Sequence, residues 1–198
     1  VDYEPLDAVV DAEAAFEADA VVLFEAHGDN VAVSSTDPVV PGLFDDADVV
    51  VRGRYVNQRV AVAPMEPHGA AAVFGDDGRL TFYGSTQMPH MLQAALARSL
   101  RLEPTQVRVI TPHVGGGFGG KAGMYPEQLV VAVAARLLGR PVTWMSTRSE
   151  DMVALAHSRG QVQYVELGCK ADGTFTGLRV RLVGDGGAYP GIGAVLPA

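Results

Sequence analysis

The chain has 198 residues, 48% of them hydrophobic, with 23 glycines and 12 prolines. That is enough apolar material to bury one core, or one domain and a piece of another, between many turns. With 15 basic against 23 acidic residues the net charge is −8, which argues against binding driven by the phosphates of nucleic acid or by an anionic membrane surface.

In chain order, Val1-Asp2-Tyr3-Glu4-Pro5 has no methionine, basic stretch or signal core, so the chain is expected to begin in mid-protein. Residues 1–45 are acidic and loosely patterned, with Asp11 placed to cap a short helix through Ala18. Gly28-Asp29-Asn30, Asp37-Pro38 and Pro41-Gly42 mark residues 27–47 as a connector. Strand formers begin at Asp48 and recur through Val49, Val50, Val51, Tyr55, Val56, Val60 and Val62. Ala71–Phe74 and Arg79–Gly84 flank Gly75-Asp76-Asp77-Gly78, a hairpin signal. A helix is expected from Pro89 to Leu100, with Leu92, Ala95, Leu96 and Leu100 on one face.

Val107–Ile110 reads as a strand, and Pro126–Leu138 as a helix with Pro126 at its start and Gly139 just past its end. Pro141–Ser146 is expected to be a strand, and Ser149–Ala156 a short helix capped by Ser149. Gln161–Lys170 and Phe175–Val183 form a second hairpin around Ala171-Asp172-Gly173. Cys169 is the lone cysteine; it excludes a disulfide framework or a cysteine-based zinc or iron–sulfur site within the chain, and reads as a half-buried strand residue. No apolar run reaches the length of a membrane span, and the last residues carry no stop signal. A cytoplasmic setting is expected. Strict β-α-β alternation is absent, so the expected fold is α+β: a mixed sheet with helices on one face and two hairpins.

The most informative stretch is Val114-Gly115-Gly116-Gly117-Phe118-Gly119-Gly120-Lys121. A plain turn rarely needs more than one or two glycines. Such density fits a backbone that bends through positive φ, or that lies close to a large group with its N–H groups exposed. Gly115-x-Gly117-x-x-Gly120 formally matches a dinucleotide fingerprint, but the acidic residue required about 20 positions on is missing: Arg140 stands there. Gly115-x4-Gly120-Lys121 matches a phosphate-binding loop up to its last position, where Ala122 replaces the Ser or Thr that would hold magnesium.

Taken with Ser85-Thr86-Gln87-Met88-Pro89-His90, the loop resembles the large subunit of the molybdenum hydroxylases. That family comprises xanthine dehydrogenase, aldehyde oxidases and aerobic carbon monoxide dehydrogenases. Met65-Glu66-Pro67, Asp77-Gly78-Arg79-Leu80-Thr81, Val107-Arg108-Val109-Ile110, Leu138-Gly139-Arg140-Pro141-Val142 and Asp185-x-Gly187-Ala188-Tyr189 agree in the same order. The resemblance runs from residue 46 to the end. It implies a first molybdenum-cofactor-binding subdomain over 46–198, after a preceding domain's tail and linker over 1–45.

The resemblance also implies a chemistry. It implies a molybdenum–molybdopterin cofactor, in the cytosine dinucleotide form, that hydroxylates an aldehyde or electron-poor heteroaromatic carbon with oxygen from water. Iron–sulfur and FAD subunits would carry the electrons, the rest of the large subunit would complete the site, and the assembly would be an oligomer. Gln87 matches the glutamine whose amide approaches the metal's oxo ligand. Phe118 matches the residue whose backbone lies beside the metal. Gly116, Gly117, Gly119 and Gly120 would complete the cofactor-binding set. Ala122 departs from the glutamate that orients purines in xanthine dehydrogenases, which leaves aldehyde, heteroaromatic or carbon-monoxide-type substrates open. The family's general-base glutamate lies near the far C-terminal end of the large subunit, so this chain holds no catalytic residue of its own and is expected to be inactive alone. Glu66 and Glu127 are not candidates for that role. The alternative is a scaffold or assembly module of the same fold that binds no pterin.

His27, His68, His90, His113 and His157 have no ligand spacing for zinc. His90 and His113 flank the expected cofactor region, Trp144 reads as core or interface, and Arg148 and Arg159 are candidate partners for a carboxylate or phosphate.

Overall fold

A computed structural model describes residues 2–190. The end of the expected 46–198 span, residues 191–198, lies outside the described residues. The chain divides into two compact units, Ala61–Ser158 and the combination of Val1–Val60 with Arg159–Ala198.

The unit formed by Ala61–Ser158 is built on a mixed four-stranded sheet. Its strands are β2 (Gly69–Phe74), β3 (Leu80–Gly84), β4 (Val107–Ile110) and β5 (Val142–Met145), in the order β4-β3-β2-β5. β2 pairs antiparallel with β3 and β5, and β3 pairs parallel with β4. The β2–β3 turn closes with Gly75 N–H donating to Arg79 O at 2.9 Å, and Gly78 there has φ +76.

Strand alternation sends Ala70, Ala72, Leu80, Phe82 and Val107 to one face, where the core lies. Two helices cover that face: α1 (Pro89–Leu100) through Leu92, Leu96, Ala97 and Leu100, and α2 (Pro126–Leu138) through Val131, Ala132 and Ala135. Both begin with proline in the first turn, and α2 ends on Gly139 at φ +61, as its sequence predicts. The short helix α3 differs from expectation. It spans Arg148–Ala154 and is capped by Thr147, whose Oγ1 accepts from Glu150 N–H while the Glu150 carboxylate accepts from Thr147 N–H at 2.6 Å. The reciprocal cap places the start one residue before Ser149.

The second unit holds a three-stranded sheet in the order β1-β6-β7, from β1 (Val49–Val60), β6 (Ser158–Cys169) and β7 (Phe175–Gly184). β6 and β7 are an antiparallel hairpin with an irregularity at Gly168/Cys169. β1 stops at Val60, so Val62 is not part of it. The mixed sheet with helices on one face is therefore the four-stranded one, and the longest strands make a separate sheet. Ahead of them Asp11 does cap, accepting from Glu13 and Ala14 N–H at 2.8 and 3.0 Å, but only a 3-10 turn at Ala14–Phe16 follows.

Candidate functional site

The glycine stretch links β4 to α2 and turns sharply. Gly116 and Gly119 take φ +96 and +89, and Phe118 takes φ +52, a left-handed conformation that costs a non-glycine residue roughly 1–2 kcal/mol. The Phe118 ring is 67% exposed and takes no part in the core. Gly120 N–H closes a turn on Gly117 O at 2.8 Å, and Gly115 N–H donates to Glu66 Oε2 at 2.7 Å. Gly119 N–H donates to Gln87 at 3.0 Å. The N–H groups of Gly116, Gly117 and Phe118 have no hydrogen-bond partner among the described residues. The donors expected across Gly116–Gly120 thus narrow to these three.

Gln87 lies between β3 and α1 and lays its side chain against this bend. Its Oε1 accepts from Gly119 N–H at 3.0 Å and Lys121 N–H at 3.2 Å. That assigns the amide: the oxygen faces the loop, and Nε2 is left with no partner among the described residues. A Cβ on Gly117 would meet Gln87 Oε1 at 2.3 Å, so glycine is required for the glutamine to sit there. Gln87 and the Phe118 bend are therefore neighbours in space, joined through the N–H groups of Gly119 and Lys121.

Behind the loop lies a cluster that sequence reading missed. The side chain of Lys121 has no exposed surface, while that of Glu66 is 35% exposed. Lys121 Nζ donates to Glu66 Oε2 and Glu66 O, both at 2.9 Å, and to Ser85 Oγ at 2.7 Å. Ser85 Oγ donates to Glu66 Oε2 at 2.6 Å. Burial alone would push the Glu66 carboxyl up, but the bonds from Ser85, Lys121 and Gly115 together outweigh it and hold the carboxyl below its ordinary 4.5. Such a carboxylate makes a poor proton acceptor. All three residues stand in motifs noted in the sequence, but nothing local shows that they meet.

A second buried network supports the start of α2. Tyr125 Oη donates to Gly120 O at 2.5 Å and accepts from Ala156 N–H at 3.0 Å. Burial raises that phenol above its ordinary 10, so it keeps the proton it donates. His68 packs edge-on against Tyr125 and Trp144 and contacts Gln128 Nε2 through its own Nε2 at 3.1 Å, so that ring nitrogen is the acceptor. Burial, then the charge of Lys121, holds the imidazole below its ordinary 6.5 despite the nearby carboxylates. Ser146 Oγ donates to the buried Asp151 carboxylate.

The other candidates do not converge here. Arg148 pairs with the Asp151 carboxylate at 3.6 Å, the kind of partner expected of it, and donates to the carbonyls of Pro64 and Met65, while Trp144 borders the core. His90 and His113 are exposed, and Glu127 lies in the first turn of α2. Among the described residues no three His, Cys, Asp or Glu side chains are grouped to hold a metal ion, and no helix is long and apolar enough to cross a membrane.

Comparison with known proteins agrees with this arrangement. The family described as "Molybdopterin cofactor-binding domain" matches residues 23–198. The chain is 38% identical over 147 residues to the nicotine 6-hydroxylase large subunit of Paenarthrobacter nicotinovorans, covering 74% of this chain and 18% of that one. It is 33% identical to the carbon monoxide dehydrogenase large chain of Hydrogenophaga pseudoflava, covering 96% of this chain and 26% of that one. The crystal structure of quinoline 2-oxidoreductase from Pseudomonas putida 86 superposes with a TM-score of 0.85 at 35% identity, covering 95% of this chain and 24% of that one. The chain thus spans 18–26% of the length of these relatives. The chain belongs to the molybdopterin cofactor-binding domain family.

Proposed function

We propose that this chain supplies the Gln87–Phe118 side of the molybdenum site in a hydroxylase that oxidises a small aldehyde or heteroaromatic substrate with oxygen from water. The observation that carries the reading is the Gln87 amide: its oxygen is bound to the glycine loop, and its Nε2 is free to donate. A molybdopterin centre presents oxygens and needs donors. The residues fit it, because Gln87 Nε2 and the N–H groups of Gly116, Gly117 and Phe118 are donors without partners, on a bend that lacks Cβ atoms on both sides of Phe118. When bound, the molybdenum cofactor supplies the two-electron acceptor of the hydroxylation. The neutral amide at Gln87 polarises an oxygen of the group without adding a titrating charge. Gly119 and Gly120 hold the bend through Gln87 Oε1 and Gly117 O.

Relatives named for nicotine and quinoline, together with Ala122 after the lysine, favour a pyridine- or quinoline-type ring over a purine. Glu66 is engaged by Ser85, Lys121 and Gly115 and does not serve as the general base, which in this reading belongs to the rest of the large subunit. In the same reading residues 1–45 are a preceding domain's tail and linker, the pterin carries cytosine, iron–sulfur and FAD subunits accept the electrons, and the complex is an oligomeric cytoplasmic one.

The test is metal and pterin analysis of the large subunit containing this chain, with dichlorophenolindophenol reduction on quinoline, benzaldehyde and xanthine. The expected result is molybdenum in the wild type, with turnover lost in Gln87→Ala. The 198-residue chain alone is expected to reduce no dye. A large subunit that never acquires molybdenum would overturn the reading in favour of a scaffold.

A further inference from the structure

One carboxylate fastens both ends of the glycine loop. Glu66 Oε2 accepts from Gly115 N–H at 2.7 Å at the loop's start and from Lys121 Nζ at 2.9 Å at its end. The same oxygen accepts from Ser85 Oγ at 2.6 Å, in the segment that carries Gln87. The Glu66 backbone adds two more ties: its N–H donates to Gly115 O at 3.1 Å, and its carbonyl accepts from Lys121 Nζ at 2.9 Å. The Lys121 backbone then grips the glutamine segment. Its carbonyl accepts from Gln87 N–H at 3.0 Å and from Thr86 Oγ1 at 3.2 Å, and its N–H donates to Gln87 Oε1.

A fully buried lysine is a costly way to fill this volume. An apolar side chain of similar length would avoid desolvating an ammonium group, and buried ion pairs are often replaceable in this way without loss of stability. What an apolar chain could not do is bind three acceptors at fixed points on the Met65–Pro67 and Gly84–Gln87 segments.

We propose that Glu66, Ser85 and Lys121 form a positioning device that sets the register of the glycine loop against Ser85–Gln87, and so decides which end of the Gln87 amide faces outward. With the register held, the N–H groups of Gly119 and Lys121 bind Oε1, and Nε2 points away from the loop. If it slips, the amide has no reason to prefer that orientation. Lys121 and Glu66 are positioning residues here and act only through Gln87. The functional weight of this device rests on the reading of Gln87 given above; the register itself does not.

The test needs no cofactor. In the ¹⁵N-labelled chain, the Gln87 side-chain amide pair is identified by its loss in Gln87→Glu, and the exchange protection of Gly119 N–H is measured beside that of Leu92 and Leu96 in α1. Lys121→Met is expected to broaden or shift the Gln87 pair and to lower Gly119 protection about tenfold or more, with the α1 amides unchanged. The double variant Glu66→Gln with Lys121→Met leaves no unpaired charge. A merely structural ion pair predicts that both stability and Gln87 order return in it; the positioning device predicts that stability returns while Gln87 stays mobile. Should Lys121→Met fail to fold, Ser85→Ala and the double variant decide. An unperturbed Gln87 pair with wild-type Gly119 protection in those variants overturns the proposal. Because these readouts are taken without molybdenum, their failure is distinct from failure of the Gln87→Ala test.

Discussion

A methyl group on Gly117 would lie 2.3 Å from Oε1 of Gln87 and 2.4 Å from its Cδ. The loop and the glutamine are therefore fitted to each other. Gly117→Ala is expected to push the flexible glutamine out at about 1 kcal/mol or less, because the obstructing atoms are the far end of a side chain. Gly115→Ala meets Glu66 Cβ at 2.5 Å, which cannot swing away, and is expected to cost about 2–3 kcal/mol. Urea unfolding of the two variants measures the difference. Equal losses would contradict the fit.

Lys121→Met leaves the Glu66 carboxylate without its cation. Breaking a buried pair costs about 3–5 kcal/mol, and the low end is expected because Glu66 keeps some contact with water. Glu66→Gln with Lys121→Met is expected to recover most of that loss. The measurement is a double-mutant cycle by urea unfolding. A double variant no more stable than Lys121→Met alone would argue against the pair.

Acid sensitivity should come in two windows. His68 is held below 6.5, so below that pH the unfolded chain binds a proton that the folded chain refuses, and stability falls as pH drops toward the lowered value. Glu66 is held below 4.5, so its contribution is complete above 4.5 and is lost only at more acid pH. Unfolding free energy measured from pH 8 to 4 should begin to fall near 6.5. His68→Asn should remove that part of the slope and leave the lower window in place. An unchanged slope would refute the assignment to His68.

The three-stranded sheet exposes an apolar face. Arg52 and Arg54 reach Glu166 and Tyr164 on one side, so strand alternation places Val49, Val51 and Tyr55 on the other. Val165 and Leu167 of β6 pair with Val180 and Leu178 of β7 on that side, and Tyr55 and Leu178 are 56% and 59% exposed. A patch of this kind drives association. The chain is expected to self-associate in sedimentation velocity, and Val51→Lys with Leu178→Lys to weaken that about tenfold or more. A wild-type chain that stays monomeric at high concentration would contradict this.

The limits of α1 and α2 were legible because the signals are local: proline in the first turn, and glycine just past the end of α2. The start of α3 was misjudged because Thr147 and Ser149 are both good caps, and only the reach of Glu150 back to Thr147 decides between them. Residues 49–60 read correctly as a strand, with Val62 wrongly added, yet nothing local shows that β1 pairs with β6 rather than β2. Pairing between distant strands depends on which faces can be buried together.

By itself the amino-acid sequence determined the α+β class, the glycine bend, and the family through several motifs in fixed order. These are properties of short windows, where backbone sterics and side-chain type act directly. Only the tertiary structure decided that Gln87 faces the bend oxygen-first, that Gly119 and Gly120 are internal braces rather than free donors, and that Lys121 is buried against Glu66 and Ser85. Apart from the local Gly120–Gly117 turn, each of those facts joins residues far apart in the chain. A hydrogen bond or ion pair acts over a few ångströms, so its partners exist only once folding has brought them together.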